Sequence, residues 1–187
     1  KRQLIGKICK EKYIDIGSYK TLHKTGGFIE KYFMNKKVLF IDRDNTLNYD
    51  RGYTYKLSEA KIIRKNIHYI KRNFASSLKY IVSNQAGIAK KKFSIKDFKN
   101  FIKFLDKKLS ENSVYINDIF YCPHHPEAKI EIFKKHCNFR KPNINMILAL
   151  KRKYDLNLNK SFLIGDSVTD RSTAKNAKIK FYSTSEF

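Results

Sequence analysis

Apolar residues along this chain fall into two alternating kinds of segment. Five short runs are nearly continuous in β-branched and aromatic side chains: "KVLFID" (37–42), "SLKYIVSN" (77–84), "DIFYC" (118–122), "SFLIGD" (161–166) and "IKFYST" (179–184). Such short apolar runs predict strands buried in a parallel sheet. Between them, apolar positions recur at helical spacing: Ile62, Ile63, Ile67 and Ile70 within 59–74; Ile95, Phe98, Phe101, Ile102, Leu105 and Leu109 within 95–109; Ile144, Ile147, Leu148 and Leu150 within 144–154. These stripes read as core with no cofactor role. The order β-α-β-α-β-loop-α-β-α-β predicts an α/β fold: a Rossmann-like, three-layer α/β/α architecture with a parallel sheet and right-handed crossovers. No intervening stretch is long enough for a large cap domain.

Ligands of open parallel sheets bind at the carboxyl edge, and three predicted strands carry polar residues there. Asp42 and Asp44 end the first, Ser83 and Asn84 the second, and Asp166 the fourth. Carboxylates where a strand leaves the core must be solvated, paired or bound to a cation. A phosphate together with a divalent cation accounts for all of these positions at once. A carboxylate at Asp42 can attack phosphorus and divide one hard displacement into two easier ones. A carboxyl at Asp44, held protonated by its surroundings, can give its proton to the departing oxygen and later take one from water. Carboxylates and phosphate repel one another without a hard cation between them, which predicts Mg2+ held by Asp42, Asp44 and Asp166, with Asp170 ordering its water shell. Ser83 would hydrogen-bond a phosphoryl oxygen, and Lys141 would neutralise charge developing in the transition state.

Composition bounds this reading without changing it. At 187 residues and 42% hydrophobic, the chain can bury one core of ordinary size. No apolar stretch approaches the roughly 18 residues of a membrane span, and the first residues lack a signal-peptide block. Three cysteines, Cys9, Cys122 and Cys137, argue against a disulfide framework and for a reducing, cytoplasmic setting. The formal net charge of +23 attracts polyanions in principle. The basic residues are scattered among abundant Ile and Asn, however, which favours a compositionally biased, solvated surface over a nucleic-acid partner.

"DRDNT" (42–46), the serine after "YIV", the lysine of "RKP" (140–142) and "GDSVTD" (165–170) resemble the four motifs of the haloacid dehalogenase superfamily of phosphatases, over nearly all of Met34 to Phe187. Within it, "DRGY" (50–53), "SNQAGIAKKKFS" (83–94), "CPHHPE" (122–127) and "CNFRKP" (137–142) resemble the D-glycero-D-manno-heptose 1,7-bisphosphate 7-phosphatases, with related patterns in histidinol-phosphate phosphatases. The resemblance implies a Mg2+-dependent sugar-phosphate monoesterase of nucleotide-activated heptose biosynthesis, serving lipopolysaccharide or capsule. It also implies substrate contacts from Asp50, Arg51, Gly52, Tyr53, Ser83, Asn84, Gln85, Ala86, Arg140 and Lys141. Arg140, with its planar fork, suits a second phosphate.

The family's C-x-H and C-x-C zinc ligands are met here by Cys122, His124 and Cys137, while the fourth position is Phe139, which binds no zinc. Either His125 or His136 substitutes, or the loop packs without metal, which the usual demand for four ligands favours. The family also favours Lys after the motif's last aspartate, where this chain has Ser167. Residues 1–33 lie outside the pattern; "KYIDIGSYKTLHKT" (12–25) is similar to the far end of sugar-1-phosphate nucleotidyltransferases. That similarity implies either a remnant of a fused guanylyltransferase, which would favour the α-anomer and a GDP-heptose route, or an extension packed on its own domain. The division is therefore 1–33 and 34–187, the latter catalytic. The alternatives are a histidinol-phosphate phosphatase or DNA 3′-phosphatase of the same fold, and an inactive basic binding module.

Overall fold

A computed structural model describes Lys37–Phe187; the expectation for residues 1–33 lies outside these residues. Five strands form one sheet in the order β3-β2-β1-β4-β5: β1 (Val38–Ile41), β2 (Leu78–Asn84), β3 (Asp118–Cys122), β4 (Ser161–Gly165) and β5 (Lys180–Ser183). Every pairing is parallel, and β1 lies at the centre, with Ile41 level with Ile81 of β2 and Ile164 of β4. Among the described residues, four helices exceed one turn: α1 (Arg64–Asn73), α2 (Ile95–Glu111), α3 (Asn145–Tyr154) and α4 (Val168–Asn176). The expected three-layer α/β/α architecture is present, and the described residues carry no large cap domain.

The continuous apolar runs follow from burial of both sheet faces. Successive side chains of a strand point to opposite sides. Val38 and Phe40 therefore enter one core with Met146, Ile147 and Leu150 of α3 and Ala174 of α4. Leu39 and Ile41 enter the other with Ile67 and Ile70 of α1 and Phe101, Leu105 and Leu109 of α2. The chain departs from β1 toward β2 and β3, then returns across the sheet to β4, so the carboxyl end of β1 faces the reversal of strand order, the usual ligand crevice.

One boundary differs from the helical pattern of residues 59–74. The α-helix begins only at Arg64, because the preceding residues pair with the segment after β1: Tyr49 N–H donates to Lys61 O at 3.0 Å and Ile63 N–H to Leu47 O at 3.0 Å. Those extended contacts pin the 42–50 segment against the sheet. Among the described residues, no helix is long and apolar enough to cross a membrane.

α2 begins on a complete capping box: Ser94 Oγ accepts from Asp97 N, and Asp97 Oδ2 accepts from Ser94 N. Ser94→Ala is expected to cost about 1 kcal/mol, lowering the thermal midpoint by about 2–4 °C for a domain of this size, as measured by circular dichroism.

Candidate active site

The end of β1 delivers Asp42 to the sheet edge, and its N–H donates to Ile164 O of β4 at 2.9 Å, which fixes the backbone there to the two central strands. β4 ends at Gly165, and Asp166 follows. α4 then opens on a second capping box in which Ser167 Oγ donates to Asp170 Oδ2 at 2.5 Å while accepting from Asp170 N. Gly165 has no alternative at this approach, since a Cβ there would lie 2.5 Å from Asp170 Cβ. Carboxylate oxygens of Asp42, Asp166 and Asp170 consequently lie within 4.8 Å of one another.

Lys141 enters from the connection between β3 and α3. Its ammonium donates to Asp42 Oδ1 and to Asp170 Oδ1, both at 2.6 Å, and all three residues are buried. Asn84, at the end of β2, holds the lysine's peptide from both sides: Oδ1 accepts from Lys141 N at 2.9 Å and Nδ2 donates to Lys141 O at 3.1 Å. The amide expected to contact substrate thus also positions the lysine.

Burial pushes the Asp42 carboxyl up to about 7, with Lys141 opposing and Asp170 and Asp44 adding to the rise. Burial and the neighbouring Asp170 likewise raise Asp166. Burial also works against the Lys141 ammonium, but Asp42 and Asp170 outweigh it and hold the amine above its ordinary range. Three converging carboxylates face one ammonium, an excess of negative charge that a divalent cation with a preference for oxygen ligands satisfies. The donor set therefore fits Mg2+. Asp170, expected in an outer role, stands inside this group, whereas Asp44, expected as a ligand, stands outside it.

Asp44 is engaged elsewhere. Its Oδ1 accepts from Arg43 Nε at 2.8 Å and from Arg43 Nη2, and its Oδ2 accepts from Gln85 Nε2 at 3.0 Å. The same Gln85 amide donates to Ser83 Oγ at 2.8 Å, leaving the Ser83 hydroxyl hydrogen available to an oxygen in the site. Asp42, Asp44, Ser83, Asn84, Lys141 and Asp166 share the wall of a cavity of about 170 Å³. An adjoining cavity of about 440 Å³ is lined by Asp44, Asp50, Gly52, Tyr53, Asn84, Gln85, Ala86 and Arg140, together with Lys90 and His125.

Most expected substrate contacts thus face a single chamber. Arg51 does not: it lines a neighbouring cavity of about 380 Å³ with Tyr49, Ser58 and Lys61. Asp50 reaches the chamber but also braces its own turn, its Oδ1 accepting from Thr54 N at 2.7 Å, while Gly52 and Tyr53 adopt left-handed backbone (φ 91° and 64°). Lys90 was not anticipated by the motif reading, and His125 entered it only as a metal ligand. Their place in the glycine-containing "SNQAGIAK" and "CPHHPE" segments was the available signal.

Ligand atoms of Cys122, His124 and Cys137 also lie within 4.8 Å of one another. Neither His125 nor His136 joins them: His125 faces the large cavity and its Nδ1 accepts from Glu127 N at 3.1 Å. Phe139 is exposed and offers no donor. Burial, with Cys137 adding to it, pushes the Cys122 thiol up to about 11. Three donors are one short of a closed tetrahedral zinc site.

The family model for polynucleotide kinase 3 phosphatase matches residues 37–187. The D-glycero-beta-D-manno-heptose-1,7-bisphosphate 7-phosphatase of Pasteurella multocida is 38% identical over 146 residues, covering 78% of this chain and 79% of that protein. The Escherichia coli enzyme of the same name is 32% identical over 146 residues, covering 76% and 75% respectively. Among solved structures, D,D-heptose 1,7-bisphosphate phosphatase from B. bronchiseptica, complexed with magnesium and phosphate, aligns with a TM-score of 0.66 at 26% identity, covering 79% of this chain and 78% of that one. Kinship at this level, spanning the residues that carry the carboxylate cluster, makes the chain a member of the heptose-bisphosphate phosphatase family within the haloacid dehalogenase superfamily.

Proposed function

We propose that this chain hydrolyses the 7-phosphate ester of D-glycero-D-manno-heptose 1,7-bisphosphate, with Asp42 as the nucleophile. The observation that carries the reading is the buried Lys141 ammonium set between Asp42 and Asp170, which holds the attacking carboxylate in place beside a carboxylate cluster suited to a divalent cation. Asp42, Asp166 and Asp170 would hold Mg2+, which when bound offsets the repulsion between these carboxylates and the phosphoryl group.

The residues divide the reaction between them. Asp42 attacks phosphorus and carries the phosphoryl group as an acyl phosphate, and water then releases it. Asp44 supplies a proton to the departing sugar oxygen and recovers one from that water. The Ser83 hydroxyl and the Lys141 ammonium bind phosphoryl oxygens as negative charge shifts onto them. The sugar and its second phosphate occupy the adjoining chamber, where Arg140 and Lys90 bring positive charge. Arg140 Nη1 also donates to His124 O at 3.3 Å, so the cysteine-bearing loop orients it.

A second reading follows from the match to the polynucleotide kinase 3 phosphatase model: hydrolysis of a DNA 3′-phosphate by the same residues. The two are separated by a phosphate-release panel containing both anomers of heptose 1,7-bisphosphate, histidinol phosphate and a 3′-phosphorylated oligonucleotide. The heptose bisphosphate is expected to show the highest kcat/KM; preference for the oligonucleotide, with rates falling steeply as salt rises, would replace the sugar reading by the nucleic-acid one.

Asp42→Asn is expected to abolish turnover on every substrate of that panel, and measurable steady-state hydrolysis by this variant would remove the nucleophile assignment. EDTA is expected to silence the wild-type enzyme and added Mg2+ to restore it, as read by phosphate release. For the cysteine cluster, we expect no stoichiometric zinc to survive dialysis, because the fourth ligand position is Phe139. Metal analysis of the purified protein checks this: one tightly held zinc per chain would mean that a further donor completes the site.

A further inference from the structure

Arg43 is 0% exposed, a rare position for a guanidinium. Alternation along the end of β1 accounts for it. Asp42 and Asp44 lie toward the site, so the residue between them turns the other way, under α2. There its guanidinium carbon lies 5.6 Å from the Phe98 ring centre and 5.0 Å from that of Phe101, within the range of cation–π attraction. From this apolar seat Nε and Nη2 both reach Asp44 Oδ1, and Nη2 also donates to Thr54 O at 3.2 Å. The opposite carboxylate oxygen, Oδ2, accepts from Gln85 Nε2, which also bonds Ser83 Oγ.

We propose that Arg43 is the positioning residue of the acid–base step: it fixes Asp44 Oδ1 as a permanent acceptor and so confines the transferable proton to Oδ2, the oxygen on the Ser83 side. The proposal rests on Asp44 acting as acid and base, as described above. A guanidinium keeps its protons at any pH a protein tolerates. With two N–H groups aimed at Oδ1, a proton on that oxygen would point hydrogen at hydrogen. Oδ2 meets a single amide N–H and retains a free direction for an O–H bond.

The step then balances on one oxygen. As the bond from Asp42 to phosphorus forms and the bond to the departing sugar oxygen breaks, the proton on Oδ2 moves to that oxygen and Asp44 becomes a carboxylate. As water attacks and the bond from Asp42 to phosphorus breaks, a proton of the water moves to Oδ2. No rotation of the carboxyl is needed between the two halves. Phe98 and Phe101 belong to the buried face of α2, so the orientation of the acid is set by the core of the domain.

A purely structural Arg43 predicts something different. Losing it would slow all esters together, whereas losing the placement of a proton slows formation of the acyl phosphate only for esters whose leaving group needs one. The later attack of water is common to every ester, so kcat/KM, which reports the first half-reaction, is the quantity compared. The test compares Arg43→Met, Arg43→Lys and Asp44→Asn with the wild type on heptose bisphosphate, whose alkoxide needs protonation, and on p-nitrophenyl phosphate, whose phenolate leaves without it. The ratio of the two kcat/KM values is independent of the fraction folded, so a destabilised variant remains informative.

Arg43→Met is expected to lose roughly 100-fold in kcat/KM on the sugar ester and only about threefold on the aryl ester, the difference matching a general-acid contribution. Arg43→Lys, which keeps the charge but not the fork, is expected to recover part of the sugar-ester rate and to leave the aryl rate near that of Arg43→Met. An unchanged ratio in Arg43→Met, while Asp44→Asn still discriminates between the esters, would overturn the role of Arg43 alone. An unchanged ratio in Asp44→Asn would overturn the acid–base reading of Asp44 and this proposal with it.

Discussion

One buried ammonium organises the catalytic edge of this molecule. Lys141 lies between Asp42, at the end of the central strand, and Asp170, in the first turn of α4, with a contact of 2.6 Å to each. Carboxylates removed from water at this separation repel one another strongly unless a cation intervenes. Without the ammonium, Asp42 and Asp170 would have to take up a proton, bind another cation or move apart. Its own position is over-determined: Asn84 grips its peptide from both sides, and Ser167 holds Asp170 from the far side. The ends of β1 and β2 and the first turn of α4 are therefore tied together beyond the last ladder bonds by the side chains of Asp42, Asn84 and Asp170 and by the ammonium and peptide of Lys141.

That network separates two tasks. Groups proposed to handle phosphorus, Lys141 apart, sit at the ends of strands or within the capping box of a helix, where the two cores on either face of the sheet leave them little freedom. Groups around the larger chamber, including Tyr53, Lys90, His125 and Arg140, sit on connections. Catalytic geometry needs tolerance of well under an ångström, whereas recognition of a sugar and a second phosphate tolerates adjustment. The described residues carry no large cap, and these connections form the wall of the larger chamber.

The sheet was the most legible part of the sequence, because burial on both faces leaves nearly unbroken apolar runs, and the five runs match the five strands to within a residue at either end. The start of α1 was misplaced because Ile62 and Ile63 have helical spacing but serve an extended pairing with the 47–49 segment, a tertiary contact that no local pattern records. In the site, Asp42 and Asp166 were legible as charges at the ends of apolar runs, and Lys141 as the lysine of the "RKP" segment. What remained hidden was the partner of each polar group. Asn84 and Gln85 were read as substrate contacts; both line the larger chamber, and what the sequence did not record is that one also positions Lys141 and the other bridges Asp44 to Ser83. Arg43 was legible in principle, since alternation sends it away from its two neighbours, but only the placement of Phe98 and Phe101 shows where it comes to rest.

Gly165 sets a limit of another sort. Its missing side chain acts as a spacer of fixed width between the sheet and the first turn of α4, because even a methyl group would strike the Asp170 side chain. Any larger residue would have to push the helix outward, carrying one of the two anchors of the lysine with it. Variation is therefore barred at a position that performs no chemistry, and the width of the gap is specified by the absence of atoms.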